Sequence, residues 1–315
     1  MQVQVTAKTA IAEGVMLFEF RASPEDLLPP FTAGSHIDIA LPNGLIRQYS
    51  LCNSPDERKR YEIAVLLEPS GRGGSRSAHI DLLRGDTVRI SEPRNMFPLV
   101  NARHSILVAG GIGVTPILSM AEHLARRGAS FELHYCSRSV ARTAFLERIQ
   151  SSAFANRVRV YIDDDHGRGN LDVSAVLRAP SPETHLYVCG PKGFMDYVIQ
   201  SANGAGWADR CVHKEYFAAG TIDEGKDRPF EVVLASTGRV VPVTSEQTVV
   251  QALALHGITV PVSCEQGFCG TCAIRVLDGV PDHRDAFFSD EAKAANDCFT
   301  PCCSRAKSAQ LVVDY

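Results

Sequence analysis

Apolar and polar residues alternate with a period of two through much of the first hundred positions. The runs Val15 to Phe20, His36 to Leu41, Tyr61 to Leu67 and Thr87 to Ile90 read as short strands, with Ile37, Ile39 and Leu41 on one face of the second. Pro42-Asn43-Gly44 and Arg84-Gly85-Asp86 supply turn chemistry between them. Several short strands at this spacing predict a small antiparallel β-barrel over residues 1–102.

Around Asn101 to His104 the period changes, and apolar strands begin to alternate with helical runs. Ser105 to Ala109 is a strand, Gly110-Gly111-Ile112-Gly113-Val114-Thr115-Pro116 is a turn, and Ile117 to Arg127 is a helix, with Thr115 as expected N-cap and Pro116 as first helical residue. Further strands at Phe131 to Cys136, Val158 to Ile162, His185 to Cys189 and Cys211 to Phe217 predict an open parallel sheet, an α/β domain over residues 103–222.

Thr221 to Arg228 is charged and poor in apolar residues, which is linker composition. Phe230 to Leu234 and Arg239 to Val243 then flank Thr237-Gly238, a hairpin signal. Thr244 and Gln247 suggest a capping box for a helix running to His256, with Gly257 as its stop, so residues 229–315 form a third, α+β, domain.

Composition narrows the function. A chain of 315 residues with 45% apolar and 22% charged residues is an ordinary globular chain of two or three domains. Its net charge of −4 and lack of a basic cluster argue against nucleic acid. No apolar run approaches the ~18 residues of a membrane span, and Met1-Gln-Val-Gln-Val lacks the basic and apolar regions of a signal peptide. A cytoplasmic protein with reduced thiols is expected, and Cys52, Cys136 and Cys211 read as small packing residues.

The strongest chemical signal is Cys264-Glu-Gln-Gly-Phe-Cys269-Gly-Thr-Cys272, followed later by Pro301-Cys302-Cys303-Ser304-Arg305. Spacings of four and then two residues between thiols are those of a plant-type 2Fe–2S loop, in which Gly267 and Gly270 let backbone N–H groups approach the sulfurs. Cys298, Cys302 and Cys303 compete as fourth ligand on spacing alone. A structural zinc site normally needs two C-x₂-C-type pairs, and one is present.

Two other places carry candidate chemistry. In Arg47-Gln-Tyr49-Ser50-Leu51 an arginine, an aromatic and a hydroxyl can hold a phosphate, cover a flat ring and hydrogen-bond its edge, and Gly71-Arg72-Gly73-Gly74-Ser75 can cradle a phosphate. The glycines at Gly110 to Gly113 fall where a strand turns into a helix, a site for pyrophosphate. Each segment also reads as an ordinary strand, loop or packing turn when taken alone. Asp163-Asp-Asp-His166 reads as a solvated loop, since four consecutive residues do not converge on one ion.

The cysteine stretch, Asp282-His-Arg-Asp285 and Pro-Cys-Cys-Ser-Arg-Ala-Lys resemble the C-terminal ferredoxin domain of the phthalate dioxygenase reductase family. The resemblance implies a β-grasp domain whose cluster ligands are Cys264, Cys269, Cys272 and Cys302, with Cys303 a bystander. The N-terminal segments resemble the flavin domain of the ferredoxin reductase superfamily, which implies FMN held by Arg47, Tyr49, Ser50, Val65, Leu66, Gly73, Gly74, Ser75 and Thr115. The middle segments resemble its nicotinamide domain and imply NADH at Gly111, Gly113, Ser137, Arg138, Cys189, Gly190 and Pro191, with Cys189 beside the nicotinamide and Phe217 near the flavin.

The activity implied is transfer of electrons from NADH through FMN and the 2Fe–2S cluster to a terminal oxygenase, most simply a Rieske-type aromatic dioxygenase or O-demethylase, by a monomer. The protein's work is then positioning, and no side chain has to act as general acid or base. A reductase for a cytochrome P450 and a redox sensor without an oxygenase partner are the alternatives.

Overall fold

The alternating segments at the N-terminus become a closed barrel. In the computed structural model, which describes every residue except 24–25, 165–168, 218–226, 266 and 268, Tyr61–Leu66, Val15–Arg21, Gln2–Ala12 and Thr87–Arg89 lie in that order in one antiparallel sheet. Ile46–Ser50, Ser35–Ala40 and Arg94–Asn95 form a second. Antiparallel bridges from Ile39 to Ile90 and from Leu51 to Ile63 join the two sheets. The inward residues, among them Phe18, Phe20, Ile37, Ile39, Leu51 and Ile63, are fully buried, each contributing about 1.5–3 kcal/mol of hydrophobic stabilisation.

Residues 104–215 build a five-stranded parallel sheet ordered Val158–Ile162, Phe131–Ser137, His104–Gly110, Thr184–Cys189, Val212–Glu215. The order reverses direction between His104–Gly110 and Thr184–Cys189, so a crevice opens at the carboxyl ends of those two strands. The helix expected from Ile117 begins earlier, spanning Val114–Arg126 with Gly113 as N-cap. Thr115 therefore sits inside the first turn rather than capping it, and its Oγ1 donates to Ile112 O at 3.1 Å.

Barrel and parallel sheet belong to one compact unit, Met1–Phe217, and Ala218–Tyr315 forms a second. Within the first, Val15, Ala33, Cys52 and Ala64 share a core with Met120, Ala121 and Leu124. Arg148 donates to Glu62 of the barrel at 2.7 Å and to Glu122 at 2.6 Å, and Ser119 Oγ donates to Asn53 O. An ion pair of this kind, with the Glu62 side chain only 6% exposed, costs more to break than it contributes when whole, so it ties the lobes together.

The second unit carries the expected hairpin, Phe230–Leu234 against Val240–Val243, extended by Gln310–Val313 and Ile274–Asp278 in one sheet. Its helix is Val249–Leu255. The capping box lies four residues beyond the expected pair: Thr248 Oγ1 accepts from Gln251 N and Gln251 Oε1 accepts from Thr248 N. Thr244 instead gives its carbonyl to Arg305, because the chain is still completing the turn out of the hairpin there. Of the expected linker, 221–226 lies outside the described residues. Its end is fixed, since the Asp227 carboxylate is enclosed by Arg284 and Arg305.

Candidate functional site

Three constellations stand out. The first lies on the barrel strand Ile46–Ser50, where Arg47 and Ser50 are buried and Tyr49 is half-buried. A Cβ added to Gly74 would lie 2.7 Å from Arg47 Cγ and Nε, so the glycine-rich turn approaches the arginine as closely as glycine allows. Gly73 has φ +86, a conformation that favours glycine, and leads into the short helix Gly74–Ile80. Arg47 and Gly74 thus lie against each other, with Gly73 next in the turn.

The neighbouring residues play different parts. Ser75 Oγ accepts from Glu68 N at 3.0 Å and secures the turn's own geometry. Val65 is buried, and Leu66, the last residue of their strand, is exposed. Burial pushes the Tyr49 hydroxyl up to about 12, so it stays a neutral donor at physiological pH. The steric cradle and the guanidinium, with an aromatic hydroxyl on the same strand, fit the phosphate and ring of a flavin mononucleotide.

The second constellation sits at the crevice of the parallel sheet. Gly110 closes the strand His104–Gly110, and Gly111 to Gly113 make a tight turn into the helix Val114–Arg126, with φ +53 at Gly111. A Cβ on Gly113 would collide with the Cys189 carbonyl and the Gly190 N–H, and one on Gly110 would strike Phe194 and Pro191. The two motifs singled out in the sequence therefore pack against each other where the helix Val114–Arg126 begins. Ser137 and Arg138 end the adjacent strand. Ser137 is buried, accepting from Thr143 Oγ1 at 2.9 Å and donating to Ser139 O at 3.1 Å, whereas Arg138 is exposed.

Cys189 is fully buried, and burial together with the nearby Glu215 carboxyl pushes its thiol well above the usual range. It is a neutral group. Phe217 is half-buried against the core shared by the lobes. Sequence reasoning missed Glu215. It pairs with Cys189 across parallel strands, and its carboxyl, pushed up to about 8 by burial, accepts from Ser50 Oγ at 3.2 Å. The only hint was its place two residues before Phe217, and the register that brings it to Ser50 is a tertiary fact.

The third constellation is the thiol set. Cys264, Cys272, Cys302 and Cys303 are buried and Cys269 is half-buried. The Cys264 thiol donates to Cys269 and holds it well down, at about 4, while a hydrogen bond from Cys302 lowers Cys272. Contacts thus join 264 with 269 and 272 with 302, and Cys302 also touches Cys303. Cys298 lies elsewhere, paired across strands with Arg275. Cys303 Sγ turns to Thr300 Oγ1 at 3.3 Å, under Gly267. Four sulfurs gathered from one loop and one distant segment fit a two-iron core. Asp163 and Asp164 are exposed, and the rest of the acidic run, His166 included, lies outside the described residues.

Comparison with known proteins agrees with this division. Residues 2–98 match an oxidoreductase FAD-binding domain, 93–212 a dimethylamine monooxygenase subunit DmmA-like N-terminal domain, and 232–307 a 2Fe-2S iron-sulfur cluster binding domain. The chain is 52% identical over 315 residues to the vanillate O-demethylase oxidoreductase of a Pseudomonas species, covering 100% of this chain and 99% of the other. Its fold matches a phthalate dioxygenase reductase structure at 38% identity with TM-score 0.83, covering 100% and 98%, and an intact type IV self-sufficient cytochrome P450 monooxygenase at 37% and 0.79, covering 100% and 41%. Fold and matches define a flavin- and iron–sulfur-dependent oxidoreductase. Within that class, the chain belongs to the phthalate dioxygenase reductase family.

Proposed function

We propose that the protein is the reductase component of an oxygenase system, passing electrons from NADH through FMN and a 2Fe–2S cluster to a Rieske-type enzyme that acts on an aromatic acid or aryl methyl ether. The observation that carries this reading is the coexistence in one chain of the Arg47–Gly74 cradle, the paired glycine turns at 110–113 and 189–191, and the thiol set. Three functional domains follow, at 1–102, 103–222 and 229–315.

When bound, the flavin supplies the exchange between the two-electron hydride of NADH and the single electrons a 2Fe–2S cluster accepts. The chain's residues do the positioning. Arg47 and the N–H groups of Gly73, Gly74 and Ser75 hold the FMN phosphate, Tyr49 and Ser50 fix the ring, and Val65, Leu66 and Thr115 line it. Gly111 and Gly113 admit the dinucleotide to the helix start, Gly190 and Pro191 shape the nicotinamide end, and Ser137 and Arg138 meet the adenosine ribose. Phe217 covers the flavin, and buried Cys189, a neutral thiol, excludes water beside the hydride donor. Cys264, Cys269, Cys272 and Cys302 would hold the cluster through their thiolates.

The protein acts as a cytoplasmic monomer; among the described residues no helix is long and apolar enough to cross a membrane. NADH consumption coupled to O-demethylation by a Rieske oxygenase acting on vanillate tests the acceptor, and no coupling with any Rieske oxygenase would overturn it. A P450 acceptor is the second reading, favoured by the match to a self-sufficient P450.

A further inference from the structure

The segment Asp282 to Phe288 is absorbed neither by the ligand set nor by the linker, yet it is tightly built. Asp285 is buried, with its side chain wholly inaccessible. Its Oδ2 accepts from Phe288 N at 2.9 Å, and its Oδ1 accepts from Ser304 Oγ at 3.3 Å and faces His283 Nδ1 at 3.2 Å. Ser304 Oγ in turn accepts from Arg284 N, and Lys293 Nζ donates to Asp285 O at 2.7 Å.

Both loop glycines rest on this segment. Ala286 N donates to Gly267 O at 3.0 Å, and a Cβ on Gly267 would meet Asp285 Cα and Cβ as well as Cys303 Sγ. A Cβ on Gly270 would come within 2.2–2.5 Å of three carbons at the tip of the Phe287 ring. Phe287 is in turn seated edge to face on Phe288, with ring centroids 4.9 Å apart. Gly267 and Gly270 have φ +76 and +67, so the cysteine loop needs two left-handed turns, and each is pressed from outside by one residue of this segment.

We propose that Asp285 and Phe287 are positioning residues for the cluster. Asp285 braces the Gly267 turn through the 286–267 hydrogen bond, and the Phe287 ring lies on Gly270 as a dry cover between Cys269 and Cys272. The proposal rests on the ligand assignment given above and adds what sets cluster retention and potential. Groups outside the ligand shell act on an iron–sulfur centre through ligand orientation and solvent access. A cluster opened to water is easier to reduce, because water stabilises the extra negative charge of the reduced form.

The test uses the full-length holoprotein. Iron and sulfide content, the rate of chelator-driven bleaching and the midpoint potential of the retained cluster are measured for wild type, Phe287→Ala, Phe287→Tyr and Asp285→Asn. Expected are bleaching about tenfold faster in Phe287→Ala and Asp285→Asn, a more positive potential in Phe287→Ala, near wild-type values in Phe287→Tyr, and unchanged flavin content throughout. Should Phe287→Ala retain no cluster, retention in Phe287→Tyr with wild-type bleaching supports the role, and loss there too overturns it. Wild-type bleaching and potential in both Phe287→Ala and Asp285→Asn overturn it as well. Wild-type protein lacking iron and sulfide would instead overturn the ligand assignment beneath it.

Discussion

Ser50 Oγ donates a hydrogen bond of 3.2 Å to Glu215 Oε2, joining the last residue of a barrel strand to the last residue of the parallel sheet's edge strand. The Glu215 carboxyl, desolvated by burial and accepting from one hydroxyl, is held largely protonated at neutral pH, its titration pushed up to about 8. Its stabilising effect is fully present below the ordinary carboxylate range and is lost as pH rises through about 8. Glu215→Gln removes that dependence. Thermal melts from pH 5 to pH 9 should show wild type falling relative to Glu215→Gln as pH rises; parallel curves would refute it.

Arg47 contributes a guanidinium that glycine lets the turn approach at van der Waals distance. Charge-assisted hydrogen bonds of this kind are worth about 1.5–3 kcal/mol, so Arg47→Ala should weaken FMN binding about 10- to 100-fold. Flavin fluorescence on dilution reads this directly. Arg47→Lys should fall between, because a point charge replaces a bidentate fork.

Gly113 has no room for a methyl group against the Cys189–Gly190 peptide. Overpacking of this kind costs about 1–3 kcal/mol, so Gly113→Ala should raise the NADH dissociation constant roughly tenfold or more. Rapid-mixing measurement of flavin reduction at increasing NADH checks it, with bound flavin as the control for folding.

Cys302 and Cys303 are adjacent in sequence and touch each other, but Cys302 also contacts Cys272 whereas Cys303 turns to Thr300. Cys302→Ser should abolish or strongly destabilise the cluster, whereas Cys303→Ser should keep iron, sulfide and visible absorption near wild type. The reverse pattern would move the fourth ligand to Cys303.

Much of this was legible in the chain. The apolar runs placed Val15–Arg21 and Tyr61–Leu66 within a residue or so: the first turns alternate residues into the barrel core, and the second is covered on both faces. Cysteine spacing and the glycine turns located the thiol set and the crevice, since those motifs impose their own local geometry. What escaped was set by tertiary register. The capping box moved from Thr244 to Thr248 because the hairpin exit uses the Thr244 carbonyl to hold Arg305. Glu215 reaches Ser50 across 165 positions of sequence, and Asp285 braces Gly267 only after the chain has folded back. No periodicity announces such meetings.

The most direct test of the account is an anaerobic titration of the purified protein with NADH, followed by visible absorption. Bleaching of both flavin and iron–sulfur bands, complete after uptake of about three electrons per chain, is the predicted result, two for the flavin and one for the cluster. Bleaching of the flavin alone would contradict it, and would mean that the cysteines of the second unit do not serve the electron path.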